Sequence, residues 1–142
     1  MIPTIIFSAN TSFYLYNFRL NLMNKMLDSG YTVIAIAPKD NYSEKITKLS
    51  IKYIDIKLER KSASIIQNTK YIISLYYIFK KYRPNIVHNF TIKPVIFGTI
   101  VARLLGVDKI INSITGLGHV FIAKSLMRKI VGIFYKWSFN SK

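Results

Sequence analysis

Apolar and polar positions along the chain change period in a regular way. "PTIIFS" (3–8) is a short apolar run that predicts a buried strand. "NFRLNLMNKMLDSG" (17–30) has a helical period, with Phe18, Leu22, Met26 and Leu27 on one face and Gly30 as C-cap. "YTVIAIAP" (31–38) predicts a second strand, closed by Pro38, and "YSEKITKLS" (42–50) a short helix with Ser43 as its cap. "IKYIDIKL" (51–58) alternates as a half-buried strand should. "SIIQNTKYIISLYYIFKKYRP" (64–84) predicts the longest helix, ended by Pro84. "NIVHNF" (85–90) then reads as a fourth strand. "KPVIFGTIVARLLGV" (93–107) reads as a helix with Pro94 at its first position and Gly106 near its end. "KIINSI" (109–114) is a fifth strand, "TGLGHVF" (115–121) a glycine-bearing loop and "IAKSLMRKIVGIFYKW" (122–137) a last helix.

Strand and helix thus alternate five times in a chain of 142 residues, the size of one domain. Mostly apolar strands in that order predict an α/β fold: a Rossmann-like, doubly wound, mostly parallel sheet, with strand order 3-2-1-4-5 as the default. Ligands of such sheets bind outside the carboxyl ends of the strands where the winding reverses, here between strands one and four. The loops 8–19 and 88–94 would line that crevice, with "TGLG" (115–118) beside them. His88, one of only two histidines, is therefore placed near Asn10, Thr11 and Ser12 by topology.

The residues of these loops suit a polar, partly anionic ligand. Pro94 has no amide hydrogen, but a helix starting there would offer the amides of Val95 and Ile96 to negative charge, with Lys93 as a mobile cation. His88, Asn89 and Thr91 supply donors and acceptors for hydroxyl groups, and Gly116 and Gly118 allow close backbone approach. Neither a G-x-G-x-x-G fingerprint nor a P-loop lysine motif is present, which disfavours a dinucleotide oxidoreductase and a P-loop enzyme.

Composition narrows the reading further. There is no cysteine, and two histidines and six acidic residues are scattered, so disulfides are excluded and no metal site is expected. The net charge of +15 attracts anionic lipid, nucleic acid or phosphorylated small molecules. No base-reading module accompanies it, which disfavours nucleic acid. No apolar run reaches the roughly 18–20 residues of a membrane span, and "MIPTIIFSAN" has no charged segment before its short apolar run. The last helix is amphipathic, with Lys124, Arg128, Lys129 and Lys136 opposite Leu126, Ile130, Ile133, Phe134 and Trp137. Lys124, Arg128, Lys129, Lys136 and Trp137 are accordingly expected to touch an anionic membrane surface; the alternative is that the apolar face simply packs on the sheet, and both hold if the aromatic end projects. Residues 61–83 mix cations and aromatics in a similar way.

In order and spacing, "NFRLNLMNKMLDSGYTVIAIAPKDNYSEKI", "IVHNFTIKPVIFGTIVARLLGV" and "INSITGLGHVF" resemble the N-terminal domain of family 4 glycosyltransferases. The closest likeness is to bacterial enzymes of capsule, O-antigen (lipopolysaccharide) or glycoprotein glycan assembly. The resemblance implies a GT-B enzyme whose N-terminal domain holds the acceptor and whose C-terminal domain binds a nucleotide-sugar, here expected to be UDP-linked. It implies a hexosyltransferase working with retention of configuration, without a metal or any tightly bound cofactor. By position, His88 would lie near the reacting sugar. Asn10, Thr11, Arg19, Asn89, Thr91 and Lys93 would shape the same face, and Thr115, Gly116 and Gly118 the adjoining loop. Two positions depart from the family pattern: "SANTS" replaces first-loop glycines, and Phe90 stands where many members have a second histidine.

The family's donor-binding E-x7-E motif is not in these 142 residues. Residues 1–142 are therefore expected to be one Rossmann-like domain truncated before its last strand, inactive alone, with the donor domain supplied in cis or in trans. The alternative is a non-catalytic, membrane-associated subunit of a split enzyme that recruits a separate donor-binding chain. Either would work in the bacterial cytoplasm, peripheral to the inner face of the cytoplasmic membrane, on a lipid-linked or polysaccharide acceptor.

Overall fold

A computed structural model of the chain describes residues 2–59 and 64–113, together with Gly132 and Lys136. Five strands, β1 (Thr4–Ser8), β2 (Thr32–Ala37), β3 (Lys52–Asp55), β4 (Ile86–Phe90) and β5 (Lys109–Ser113), form one parallel sheet in the order β3-β2-β1-β4-β5. This is the α/β, doubly wound order expected from the alternation of elements. Ile5 and Phe7 of β1 face one core with Leu15 and Met23, while Ile6 faces the other with Leu75 and Phe79. Burial on both faces is why β1 and β2 carry consecutive buried apolar residues, Ile5 to Phe7 and Val33 to Ala37, rather than alternating ones.

The first helix, α1, runs from Ser12 to Asp28 and begins five residues before the helical period in the sequence suggests. Thr11 is extended (φ −153°) and its hydroxyl accepts the amide hydrogen of Tyr14, which caps the helix. The Ser12 hydroxyl lies within 2.9 Å of the Pro38 carbonyl and the Ser43 hydroxyl and 2.8 Å from the Tyr53 hydroxyl. That anchor turns Ser12, Leu15 and Met23 to the sheet. Phe18, predicted to be buried, is instead 60 % exposed, and Leu22 is 39 % exposed.

Helix α2 (Ser43–Thr47) starts at Ser43 itself, with Tyr42 in the cap position. Ser43 is therefore not the cap that the sequence suggests; its hydroxyl accepts from the Asp40 amide and shares a hydrogen with Ser12. Strand β3 is shorter than the 51–58 alternation implies. It is an edge strand with β2 as its one neighbour in the sheet, so pairing stops where β2 ends.

Helix α3 (Ile65–Tyr82) stops at Arg83, which is left-handed (φ 41°, ψ 60°) and returns its amide hydrogen to the Phe79 carbonyl. The following Pro84 disfavours a helical conformation at Arg83. A non-glycine residue is strained there, so Arg83→Gly is expected to raise unfolding free energy by about 0.5–1 kcal/mol in urea titrations. An unchanged or lower midpoint would show that the arginine side chain compensates the strain.

The segment after β4 differs most from expectation. The helix begins before Pro94, and Pro94–Gly98 form a π-helical turn that leads into α4 (Thr99–Leu104). Pro94 is thus not the first helical residue, and the Val95 amide already donates to the Thr91 carbonyl at 3.0 Å. A proline inside a helix removes one ladder hydrogen bond and crowds the carbonyl four residues back, which accounts for the widened turn. The "TGLG" loop (Thr115, Gly116, Gly118) and Lys124, Arg128, Lys129 and Trp137 lie outside the described residues; Lys136 is helical and exposed.

Candidate functional site

Strand β4 carries the site, and its alternation divides the predicted residues between two faces. His88 is the third of its five residues, in register with Phe7 of β1 and Ile111 of β5. The half-buried ring stacks on Phe90 (centroids 4.1 Å apart) and touches Phe7 (5.6 Å). Its Nε2 is 2.8 Å from Oγ of Ser113, the last residue of β5. Burial, aided by the nearby Arg19 charge, lowers the imidazole pKa to about 4. His88 is therefore neutral at physiological pH, with Nε2 engaged by Ser113.

Arg19 comes from α1 on the same face. Its guanidinium stands 4.7 Å from the Phe90 ring centroid and 5.3 Å from that of Tyr14, and an Nη donates to the Tyr14 hydroxyl at 2.6 Å. Such stacking on aromatic faces contributes roughly 0.5–2 kcal/mol per contact. Phe90 thus supports both the imidazole and the guanidinium.

Asn89 points to the other side of the sheet and is fully buried. Its Nδ2 donates to Asn112 Oδ1 (3.0 Å), and Asn112 in turn donates to the Thr99 hydroxyl (2.9 Å). Asn89 and His88 therefore do not present one surface, because consecutive strand residues project oppositely. Thr91 is left-handed (φ 67°), and its buried hydroxyl has no hydrogen-bond partner among the described residues.

Lys93 is not the mobile cation expected at a helix start. Its ammonium donates to the Glu59 carbonyl and to Asn68 Oδ1, tying the segment to α3 and to the loop after β3. Partial burial lowers its pKa, with Glu59 opposing. Asn10 lies at a bend between β1 and α1 and is partly exposed, while the Thr11 hydroxyl is used as the α1 cap.

Among the described residues, the structure brings together His88, Arg19 and, unforeseen, Ser113, Tyr14 and Phe90. The Ser113 contact follows from strands of equal length in parallel register, which the sequence shows only once pairing is known. No group of three or more potential metal ligands occurs among the described residues. An open cavity of about 380 Å³ between the ends of α3 and α4, lined by Lys80, Arg83, Asn85 and Asp108 among others, lies at the amino ends of β4 and β5, away from His88.

Comparison with known proteins decides the family. A model of the glycosyl transferase 4-like family matches residues 4–141. The chain belongs to that family. An Escherichia coli relative named UDP-Gal:alpha-D-GlcNAc-diphosphoundecaprenol alpha-1,3-galactosyltransferase is 39 % identical over 77 residues, 54 % of this chain and 19 % of the relative. A Campylobacter jejuni relative named N,N'-diacetylbacillosaminyl-diphospho-undecaprenol alpha-1,3-N-acetylgalactosaminyltransferase is 24 % identical over 138 residues, 94 % of this chain and 37 % of the relative.

The fold also matches solved glycosyltransferases. MurG of Acinetobacter baumannii superposes with a TM-score of 0.63 at 17 % identity, over 93 % of this chain and 38 % of MurG. A glycosyltransferase from Rickettsia africae superposes with a TM-score of 0.61 at 18 % identity, over 89 % of this chain and 35 % of that one. The Rossmann-like sheet of this glycosyl transferase 4-like chain is thus the fold of GT-B glycosyltransferases. The chain spans well under half the length of each of these proteins.

Proposed function

We propose that the chain forms the acceptor-side domain of a bacterial hexosyltransferase that moves a sugar from a UDP-linked donor to a lipid-linked or polysaccharide acceptor, with retention of configuration. The observation that carries this reading is a neutral histidine, His88, held by Ser113 and Phe90 beside Arg19 in a glycosyl transferase 4-like sheet. Among the described residues His88 Nδ1 has no hydrogen-bond partner, so it is available to a sugar hydroxyl. The relatives are named for sugars built on diphosphoundecaprenol, which favours the lipid-linked acceptor over free polysaccharide. The donor-binding half completes the site, in cis or in trans.

A membrane-surface location fits the outer side of α3. Ile66, Ile73 and Tyr77 are exposed there among Lys70, Lys80 and Lys81, and the helix has no acidic residue. No described helix is long and apolar enough to cross a membrane. We place the protein at the inner face of the cytoplasmic membrane.

The test is transfer of radiolabelled sugar from UDP-sugars to prenyl-diphosphate-linked saccharides, with the chain joined to its donor-binding half. His88→Ala should lower turnover about tenfold or more while leaving the circular dichroism spectrum unchanged. Unchanged turnover would remove His88 from the site. Transfer by the 142-residue chain alone would overturn the division of labour between two halves.

A further inference from the structure

We infer that Arg19 receives the diphosphate group of a prenyl diphosphate whose hydrocarbon chain lies along Phe18 and Leu22 of α1. This rests on the acceptor-side reading and names which residues would hold the acceptor's anionic link.

Arg19 is a partly buried cation without a counter-ion. None of the six acidic residues of the chain pairs with it among the described residues, and its Nη bonds a neutral phenol, Tyr14. Its Nε is buried and has no acceptor among the described residues. An N–H left unpaired in a low-dielectric setting costs free energy that an incoming oxyanion would recover. The position is also fixed in advance, because Phe90 and Tyr14 hold the plane of the guanidinium. A guanidinium fork matches phosphate oxygens in two-point contact, whereas a lysine would offer only a point charge.

The surroundings add an apolar track to the cation. Phe18 packs on Tyr14 with ring centroids 5.5 Å apart, and Phe13 meets Phe18 edge-on at 6.0 Å. Phe13, Phe18 and Leu22 are 45 %, 60 % and 39 % exposed, although α1 has buried its own sheet-facing side. An anionic head beside an apolar tail is the ligand chemistry that this pairing fits. A nucleoside diphosphate shares the head but brings a polar tail, so the tail separates the two sources.

The experiment uses the 142-residue chain and follows the Arg19 Nε–H and His88 ring signals by NMR while adding inorganic pyrophosphate, geranyl diphosphate or UDP. All three are compared with sodium chloride at equal ionic strength. We expect saturable shifts at Arg19 Nε–H with pyrophosphate and a rise in the His88 pKa, because a bound anion offsets the nearby positive charge. Geranyl diphosphate should bind about three- to tenfold more tightly than pyrophosphate, and Phe18→Ser should erase that advantage. Arg19→Met, which keeps the apolar cover over Phe90, should weaken binding of both at least about tenfold.

Shifts no larger than chloride gives, or undiminished binding by Arg19→Met, would overturn the anion site. UDP binding as tight as geranyl diphosphate would overturn the prenyl assignment. The wild-type titration is decisive by itself should the variant fail to fold. Loss of transfer in His88→Ala with diphosphate binding intact would show the two readings standing or falling separately.

Discussion

Gly98→Ala is expected to be the most destabilising alanine substitution among the described glycines, costing about 1–3 kcal/mol of unfolding free energy. Gly98 is buried within the π-helical turn, and a Cβ there would stand 2.9 Å from Asn89 Cγ and nearer still to Oδ1. Asn89 cannot step aside, because it is fully buried and its Nδ2 is bonded to Asn112, which is bonded to Thr99. Either the turn moves away from β4 or the asparagine loses its hydrogen bond, and each route costs a similar amount. Typical domains have only about 5–15 kcal/mol in hand, so a clear fall in the urea midpoint should be seen. Removing the obstructing amide is expected to relieve the clash. The Gly98→Ala/Asn89→Ala double variant should be less destabilised than the sum of the single changes by about 1 kcal/mol or more. Strict additivity would mean that Gly98 is required for some reason other than contact with Asn89.

The same pair of residues shows what could be read from the chain and what could not. Strand positions and parallel order are legible because apolar runs of strand length alternate with helical periods, and the winding rule then nominates the crevice beside β4 as the candidate site. The face of each residue was less accessible. "VHNFTIKP" reads as one polar cluster, yet strand alternation sends His88 towards Arg19 and Asn89 towards Thr99. Lys93 looks like a helix-start cation in sequence, and only folding brings Glu59 and Asn68 within reach of it. The helical period in the sequence starts later than α1 does because polar Ser12 breaks the apolar pattern, although its hydroxyl is buried against Pro38, Ser43 and Tyr53. Partners distant in sequence supplied the missing information in each case.

His88 should make the protein acid-labile between about pH 6.5 and pH 4. In the unfolded chain an imidazole titrates near 6.5, whereas burial and Arg19 hold the folded one near 4. Between those values the unfolded state binds a proton that the folded state refuses, so stability rises with pH across the window. The contribution is fully present above 6.5 and is lost progressively as pH falls to about 4. Its size is on the order of 2–3 kcal/mol once the ring's partial exposure is allowed for. Among the described residues the groups facing the ring are Phe7 of β1, Phe90 beside it on β4, Ser113 of β5 and Arg19 of α1, and none of them is an acid that could stabilise the imidazolium. His88→Gln keeps a hydrogen-bonding side chain towards Ser113 and removes the titration. Urea unfolding of both proteins at pH 7, 5.5 and 4.5 should therefore show the wild type losing more stability than the variant, with the gap widening as pH falls. Carboxylates contribute equally to both and cancel in the difference. Arg19→Met should narrow the window from its acid side, because removing the neighbouring positive charge lets the folded ring protonate at higher pH. Parallel losses in wild type and His88→Gln would mean that the folded imidazole accepts a proton as easily as the unfolded one. His88 could then no longer be taken as a neutral hydrogen-bonding group towards a sugar hydroxyl.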